Sequence, residues 1–492
     1  MSDSNLTKIS TGTPGLDEIL RGGFIAERSY LLRGDPGTGK TILGMKYLTA
    51  GVESDETVLF VNLEESEDDI RDNASTLDID LSNVHFLDLS PDSDVFVDEQ
   101  SYDIFTPSEV EQEPLTQAIT ERVESIDPDR VFIDPLTRLR HLTSDEYQFR
   151  KQVIAFMHYL KEQGATVLFT SQHSDESSDD DLQYMTDGTI ELEHSAYGRT
   201  ISVPKFRGSS VNEGNHAMRI TDGGIAVFPE LNPANHSGEF ELESISSGVP
   251  EVDQLLHGGF ERGTITILSG PTGVGKTTVG TQFMKEAAGR GERSVMYMFE
   301  ETLETFRERS ENINIPVRRM EEQGSLSVEE MKPLDCSATE FAHRVRTDVE
   351  ENDTSIVMID GIDGYKLSLR DDDDDRVLVR KLHTLCRYLK NMGITVILVD
   401  EIDTVTGEFQ ATEAGISYLA DNIVFLRHLE VSGEMRKAIG VLKKRTSDFE
   451  RMLREFQITE HGLKVGEPLT ELSGVLSGSP ELARERSESA NE

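Results

Sequence analysis

Basic residues are scarce. The chain has 48 lysines and arginines against 92 aspartates and glutamates, a formal net charge of −44. A field of that sign repels nucleic-acid phosphates and anionic lipid headgroups. Tryptophan is absent, and the only cysteines are Cys336 and Cys386. Two cysteines without metal-ligand spacing cannot form a disulfide framework, so a reducing interior and two inert thiols are expected. Long apolar runs are missing as well. Stretches such as Ile394 to Val399 are too short to cross a bilayer, and Met1 to Lys8 contains no apolar signal core, so a cytoplasmic protein with no membrane partner is expected. What remains suffices for folding: hydrophobic residues make up 36% of the chain, and 492 residues exceed the size at which a single core stops growing. The acids are spread through both halves and read as a solvated surface, as in proteins that work in concentrated salt.

The chain is one unit written twice. Ser10 to Phe24 reads STGTPGLDEILRGGF and Ser246 to Phe260 reads SSGVPEVDQLLHGGF, 236 positions apart. The same offset carries Gly34 to Gly270, Lys40 to Lys276, Thr41 to Thr277 and Glu64-Glu65 to Glu300-Glu301. Short apolar runs at Thr57 to Leu63, Arg130 to Asp134 and Ala165 to Thr170, with counterparts at Ser294 to Phe299, Ile356 to Asp360 and Ile394 to Val399, suit strands of a parallel sheet buried on both faces. Phe149 to Gln163 and Arg376 to Met392 supply crossover helices. An α/β fold is predicted, each unit a mostly parallel twisted sheet flanked by helices. The boundary falls in Leu231 to Glu241, giving units 1–238 and 239–476. Acidic stretches at Ser90 to Pro114, Ser174 to Asp181 and Asp371 to Asp375 read as exposed loops, and 477–492 as an acidic disordered tail.

Two segments match G-x-x-x-x-G-K-[ST], each between a strand and a helix. One is Gly34, Asp35, Pro36, Gly37, Thr38, Gly39, Lys40 and Thr41; the other is Gly270, Pro271, Thr272, Gly273, Val274, Gly275, Lys276 and Thr277, with Thr278 beside it. Glycines let consecutive N–H groups turn toward phosphate oxygens at a helix N-terminus. The lysines then reach the β and γ phosphates of ATP, and the Thr41 and Thr277 hydroxyls face Mg²⁺. Asp134 and Asp360 end apolar strands in the Walker B manner, suited to holding a magnesium-bound water; strand-capping is the bland alternative. Glu64, Glu65, Glu300 and Glu301 follow at the carboxyl rim of the sheet, where ligands bind in open α/β folds. One member of each pair can orient water and accept its proton while the other serves a magnesium water or a structural bond; two solvent-facing acids are the alternative. Lys205 and Arg207, and Lys443 and Arg445, share one face of a strand. They suit contact with phosphates bound by a neighbouring subunit, or serve as ordinary strand-edge charges.

These residues resemble the KaiC-like, RecA-superfamily ATPases with two tandem RecA-like P-loop NTPase domains. The paired openings, both P-loops, both Glu pairs, the Lys-x-Arg clusters, the run from Gly415 to Arg427 and Gly433 to Arg436 carry the resemblance. Together with the acid excess it suggests a halophilic archaeal source. It implies a homohexamer of two stacked rings with ATP at subunit interfaces, catalytic Glu pairs, Lys-x-Arg residues acting in trans, and a signalling partner. It also implies autophosphorylation at a Ser-Thr pair, for which this chain has Ser417-Tyr418, so that Ser417 is the candidate acceptor and Tyr replaces the Thr that a two-site cycle uses. The first half has Ser171-Gln172 where the second has Asp400-Glu401, at a place where RecA-type sensors often use Gln. An ATP-driven timing or signalling switch is the leading expectation, and a dedicated Ser/Thr kinase, a DNA recombinase or helicase relative, and a non-hydrolysing scaffold are the alternatives. The net charge and the lack of a basic stripe argue against nucleic acid.

Overall fold

Alternation along the apolar runs decides the architecture. In the first half Tyr30, Leu32, Val58, Phe60, Phe132 and Leu168 belong to one buried cluster, while Leu31, Leu59, Val61, Val131, Ile133, Val167 and Phe169 belong to another. Successive side chains of a strand point to opposite faces, so each run feeds two cores and must lie in the middle of a sheet covered on both sides. The second half repeats the division, with Leu268, Met296, Met358 and Ile397 in one cluster and Ile267, Val295, Val357 and Leu398 in the other.

The computed structural model describes residues 6–91, 112–141, 146–171, 180–369, 375–402, 416–431, 433–470, 472–473 and 481–482. Of the stretches expected as acidic loops, 92–111, 174–179 and 371–374 lie outside the described residues. Their ends are helical: Gln112, Asp180 and Asp375 open the helices Gln112–Ile126, Asp180–Met185 and Asp375–Asn391. Of the expected tail only Glu481–Leu482 is described, as a short strand paired with Leu472–Ser473.

The chain divides into two units, Met1–Glu230 and Leu231–Glu492. Among the described residues each holds one nine-stranded sheet of the same topology. In the first, the order is His85–Asp88, Val58–Asn62, Arg130–Asp134, Thr166–Ser171, Ser29–Gly34, Gly188–Ser195, all parallel, followed by Gly198–Phe206, His216–Thr221 and Gly224–Phe228, antiparallel. In the second, Leu326–Glu330, Arg293–Met298, Thr354–Asp360, Thr395–Glu401, Ile265–Gly270 and Asn422–Val431 are parallel, and Glu434–Lys444, Arg454–Thr459 and Gly462–Pro468 complete the sheet antiparallel. The expected strands are all present, with ends shifted by a residue or two. The Glu pairs stand just past their strands, which end at Asn62 and Met298. Cys336 and Cys386 are both buried, and burial pushes the Cys386 thiol up to about 12. Among the described residues no helix is long and apolar enough to cross a membrane.

The repeated opening is a structural lock. Pro14 and Pro250 occupy the first turn of short helices, where a missing N–H costs nothing. Asp17 then accepts from Ser10 Oγ at 2.6 Å, Thr11 N at 2.8 Å and Thr11 Oγ1 at 2.7 Å, and Asp253 accepts the same three bonds from Ser246 and Ser247.

The P-loop helices, Lys40–Glu53 and Lys276–Gly289, lie tight on their sheets because each has a glycine at the contact. A Cβ on Gly44 would stand 2.0 Å from the Phe132 ring, and one on Gly280 would stand 2.7 Å from the end of Met358. A buried ring between strands cannot yield as a thioether tail can. Gly44→Ala is therefore expected to destabilise the first unit by about 1–3 kcal/mol, and Gly280→Ala to cost the second unit clearly less, as read from urea unfolding of the two variants.

Candidate functional site

Each P-loop bends over the end of the central strand and enters its helix through a glycine in the left-handed region, Gly39 at φ 108° and Gly275 at φ 112°. The first-turn N–H groups beyond it have no partner within the helix and face the rim of the sheet. Lys40 Nζ donates to Gly34 O at 2.6 Å and Asp35 O at 3.0 Å, and Lys276 Nζ donates to Gly270 O at 2.7 Å and Pro271 O at 3.0 Å. Both ammonium groups curl under their own loops. Burial holds them below the usual lysine range, opposed chiefly by Asp134 in the first unit and Glu401 in the second. Thr38 Oγ1 braces the first loop on Asp35 O at 2.8 Å. The tips are touched from the antiparallel strands, Gly37 O by Arg199 at 3.5 Å and Gly273 O by Lys437 at 2.9 Å.

Thr41 Oγ1 donates to Asp134 Oδ2 at 2.6 Å, and Thr277 Oγ1 to Asp360 Oδ1 at 3.1 Å. The strand ends Asp134 and Asp360 thus meet the first helical turn in both units. Their surroundings differ. Thr170, on the neighbouring strand, donates a second hydroxyl to Asp134, whereas strand register puts Val399 at that place in the second unit. Burial raises both carboxyls; at Asp134 the hydroxyl bonds from Thr170 and Thr41 oppose it, and at Asp360, pushed up to about 7, the Thr277 hydroxyl opposes burial while the Glu300 charge adds to it. Among the described residues no group of three or more His, Cys, Asp or Glu could cage a metal ion. A hydroxyl and one carboxylate beside a phosphate loop fit Mg²⁺, which keeps waters and is held largely by the phosphates it accompanies.

Pro36, Gly37, Gly39, Lys40, Thr41, Glu64, Glu65 and Asp134 line one cleft of about 410 Å³ with Ile42, Ile70, Pro135 and Ile220. Glu64 pairs with Arg138 at 3.3 Å, while Glu65 is reached by Asn73 only at 3.5 Å. In the second unit Glu301 is gripped at both oxygens by Arg309, at 3.1 and 2.7 Å. Glu300 lies across the turn after Asp360, its Oε1 3.4 Å from Gly364 N and too close to Gly361 for any side chain there. Burial, then the charges of Asp134 and Glu64, raise the Glu65 carboxyl; burial also raises Glu300. Glu401 stands 3.7 Å from Lys276, and its counterpart Gln172 lies outside the described residues.

The basic clusters are elsewhere. Lys205 and Phe206 pair with Thr189 and Gly188, and Gly188 pairs with Tyr30, four residues or roughly 13 Å back along the strand from Gly34. Lys443 pairs with Ile423 and through it with Ile267, so it too stands at the rim away from its own P-loop, as do the adjoining Arg207 and Arg445. Beside each cluster the strand pairing slips register. Lys443 Nζ donates to Ser417 O at 3.0 Å and Arg445 to Tyr418 O at 3.4 Å, which sets Ser417 on that same rim. Sequence reading did not pick out Arg138, Thr170 or Arg309. Of these only Arg309 lies in the stretch that the constant offset aligns, and its counterpart there is Asn73.

Two parallel-core sheets, each with a phosphate loop, a strand-end Asp and a carboxylate pair at one rim, define a tandem RecA-like P-loop NTPase. The family model described as "ATPase: KaiC" matches residues 9–232 and again 245–470, and the chain belongs to the KaiC ATPase family. It is 27% identical to the "Circadian clock oscillator protein KaiC" of Acaryochloris marina over 490 residues, 96% of this chain and 91% of the relative. It is 26% identical to the protein of that name from Synechococcus elongatus, over 96% and 92% of the two chains. With the "Circadian clock protein KaiC3" of Synechocystis it shares 27% identity over 96% and 95%.

Asp360 takes up its proton near pH 7 in the folded unit and near the ordinary 3.8 when exposed. Between those values the folded state holds the extra proton, so stability falls as the pH rises. Asp360→Asn removes this titration. In urea unfolding of nucleotide-free, magnesium-free protein, the variant's second unit is expected to gain stability over the wild type at pH 8, with the gain shrinking toward pH 4; a difference independent of pH would contradict the assignment.

Proposed function

We propose that the chain is an ATP-driven oligomeric switch with a hydrolytic site in each of two ATPase domains, 1–238 and 239–476. The observation that carries this reading is the opposition within each unit: phosphate loop, Asp and Glu pair at one rim, Lys-x-Arg cluster at the other. A unit so built cannot bring its own Lys205 and Arg207, or Lys443 and Arg445, to its own nucleotide. Copies arranged head to tail in a ring can, each supplying cations in trans to its neighbour. A homohexamer is the assembly proposed.

In this reading the N–H groups of Gly34 to Thr41 and Gly270 to Thr278 hold the phosphates, and Lys40 and Lys276 exchange loop carbonyls for β and γ oxygens. Thr41 and Thr277 by their hydroxyls, and Asp134 and Asp360 by way of water, hold Mg²⁺, which when bound offsets phosphate charge. A carboxylate of each Glu pair orients water and accepts its proton. The water oxygen bonds to the γ phosphorus, the bond to the bridging oxygen breaks, and ADP and phosphate leave. The net charge disfavours nucleic acid as the thing moved, so the output is a change of shape offered to a signalling protein, in timing or in another pathway.

A second reading is favoured by Ser417, which shares the rim of Lys443 and Arg445. In a head-to-tail ring its hydroxyl faces a neighbour's γ phosphate, and it can take the phosphoryl group in place of water. Purified protein is expected to release phosphate slowly from Mg-ATP and to size by light scattering as a hexamer only with nucleotide. Lys40→Ala with Lys276→Ala abolishes release, and Ser417→Ala abolishes incorporation of γ-label. A monomer with full turnover contradicts the switch, and label persisting in Ser417→Ala contradicts the acceptor.

A further inference from the structure

The two Glu pairs are not held alike. In the first unit the arginine comes from the helix after the Asp134 strand, and Arg138 takes Glu64 at 3.3 Å. In the second, register puts Gly364 at that place, and the arginine comes from the helix Leu303–Glu311 that follows the Glu pair. There Arg309 takes the other member, Glu301, with two bonds. Its third nitrogen, Nη1, donates to Thr278 Oγ1 at 3.2 Å, so one guanidinium ties Glu301 to the P-loop helix. At the matching positions the first unit has Asn73 and Ile42, which can form neither a bidentate ion pair nor the hydroxyl bond. Thr278 and Arg309 thus both differ from their counterparts in the first unit.

We propose that Arg138 and Arg309 are positioning residues that hold opposite members of the Glu pair, leaving Glu65 to activate water in the first site and Glu300 in the second. This rests on the hydrolytic reading above. A carboxylate locked in a bidentate pair cannot also swing onto an attacking water, whereas Glu300 lies against the turn that follows Asp360. Releasing Glu301 would set an unpaired negative charge beside the γ phosphate and slow turnover through that charge, without loosening nucleotide binding.

Single-site parents, Lys276→Ala for the first site and Lys40→Ala for the second, separate the two activities. With Mg-ATP, Glu65→Gln in the first and Glu300→Gln in the second are expected to lower kcat by about a hundredfold or more, and Glu64→Gln and Glu301→Gln by less than about tenfold. Arg309→Asn is expected to lower second-site kcat about tenfold with KM for ATP held within about twofold. Arg309→Lys recovers part of the loss, and Arg309→Asn adds nothing once Glu301 is Gln, because it acts through that charge. Dominance of the same Glu in both sites, or an undiminished Arg309→Asn effect in the Glu301→Gln protein, overturns the arginine assignment alone. No phosphate release from either parent overturns the hydrolytic reading and this proposal with it.

Discussion

One hydrogen bond, present twice, organises each unit. Thr41 to Asp134 and Thr277 to Asp360 join the first turn of the P-loop helix to the end of a central strand. The bond requires the helix to lie close on the sheet, which Gly44 and Gly280 allow. It requires a strand whose residues are apolar on both faces up to the terminal acid, and it requires a loop that turns through Gly39 or Gly275 just before the lysine. Hydroxyl, carboxylate and ammonium then converge in a partly dry cleft, where burial raises the acids and lowers the lysines. Such groups favour a partner that brings both cation and anion, as a magnesium nucleotide does.

Divergence is written around that bond. Thr170 gives Asp134 a second hydroxyl where Val399 leaves Asp360 with one, and Glu401 sets a carboxylate beside Lys276. The two strand-end acids are therefore held by different partners.

Much of this was legible before any coordinates. The constant offset that carries Gly12–Glu65 onto Gly248–Glu301 exposed the repeat, both P-loops and both Glu pairs, because no insertion separates the two halves over that stretch. The offset holds through the helix after the Glu pairs, Glu67–Ser75 against Leu303–Glu311, and fails in the loops beyond it, so pairings such as Thr170 with Val399 emerge only from strand register. The rim on which Lys205 and Lys443 stand depends on antiparallel pairing with distant strands, which local pattern does not specify. The role of Arg309 lies in the geometry of Glu301 and Thr278, which no local pattern contains.

The central claim is two nucleotide sites in one chain, and counting bound nucleotide tests it most directly. Equilibrium binding of a slowly hydrolysed ATP analogue with magnesium should give two molecules per chain, one in Lys40→Ala, one in Lys276→Ala and none in the double variant. A wild-type stoichiometry of one, or two sites surviving the loss of either lysine, would contradict it.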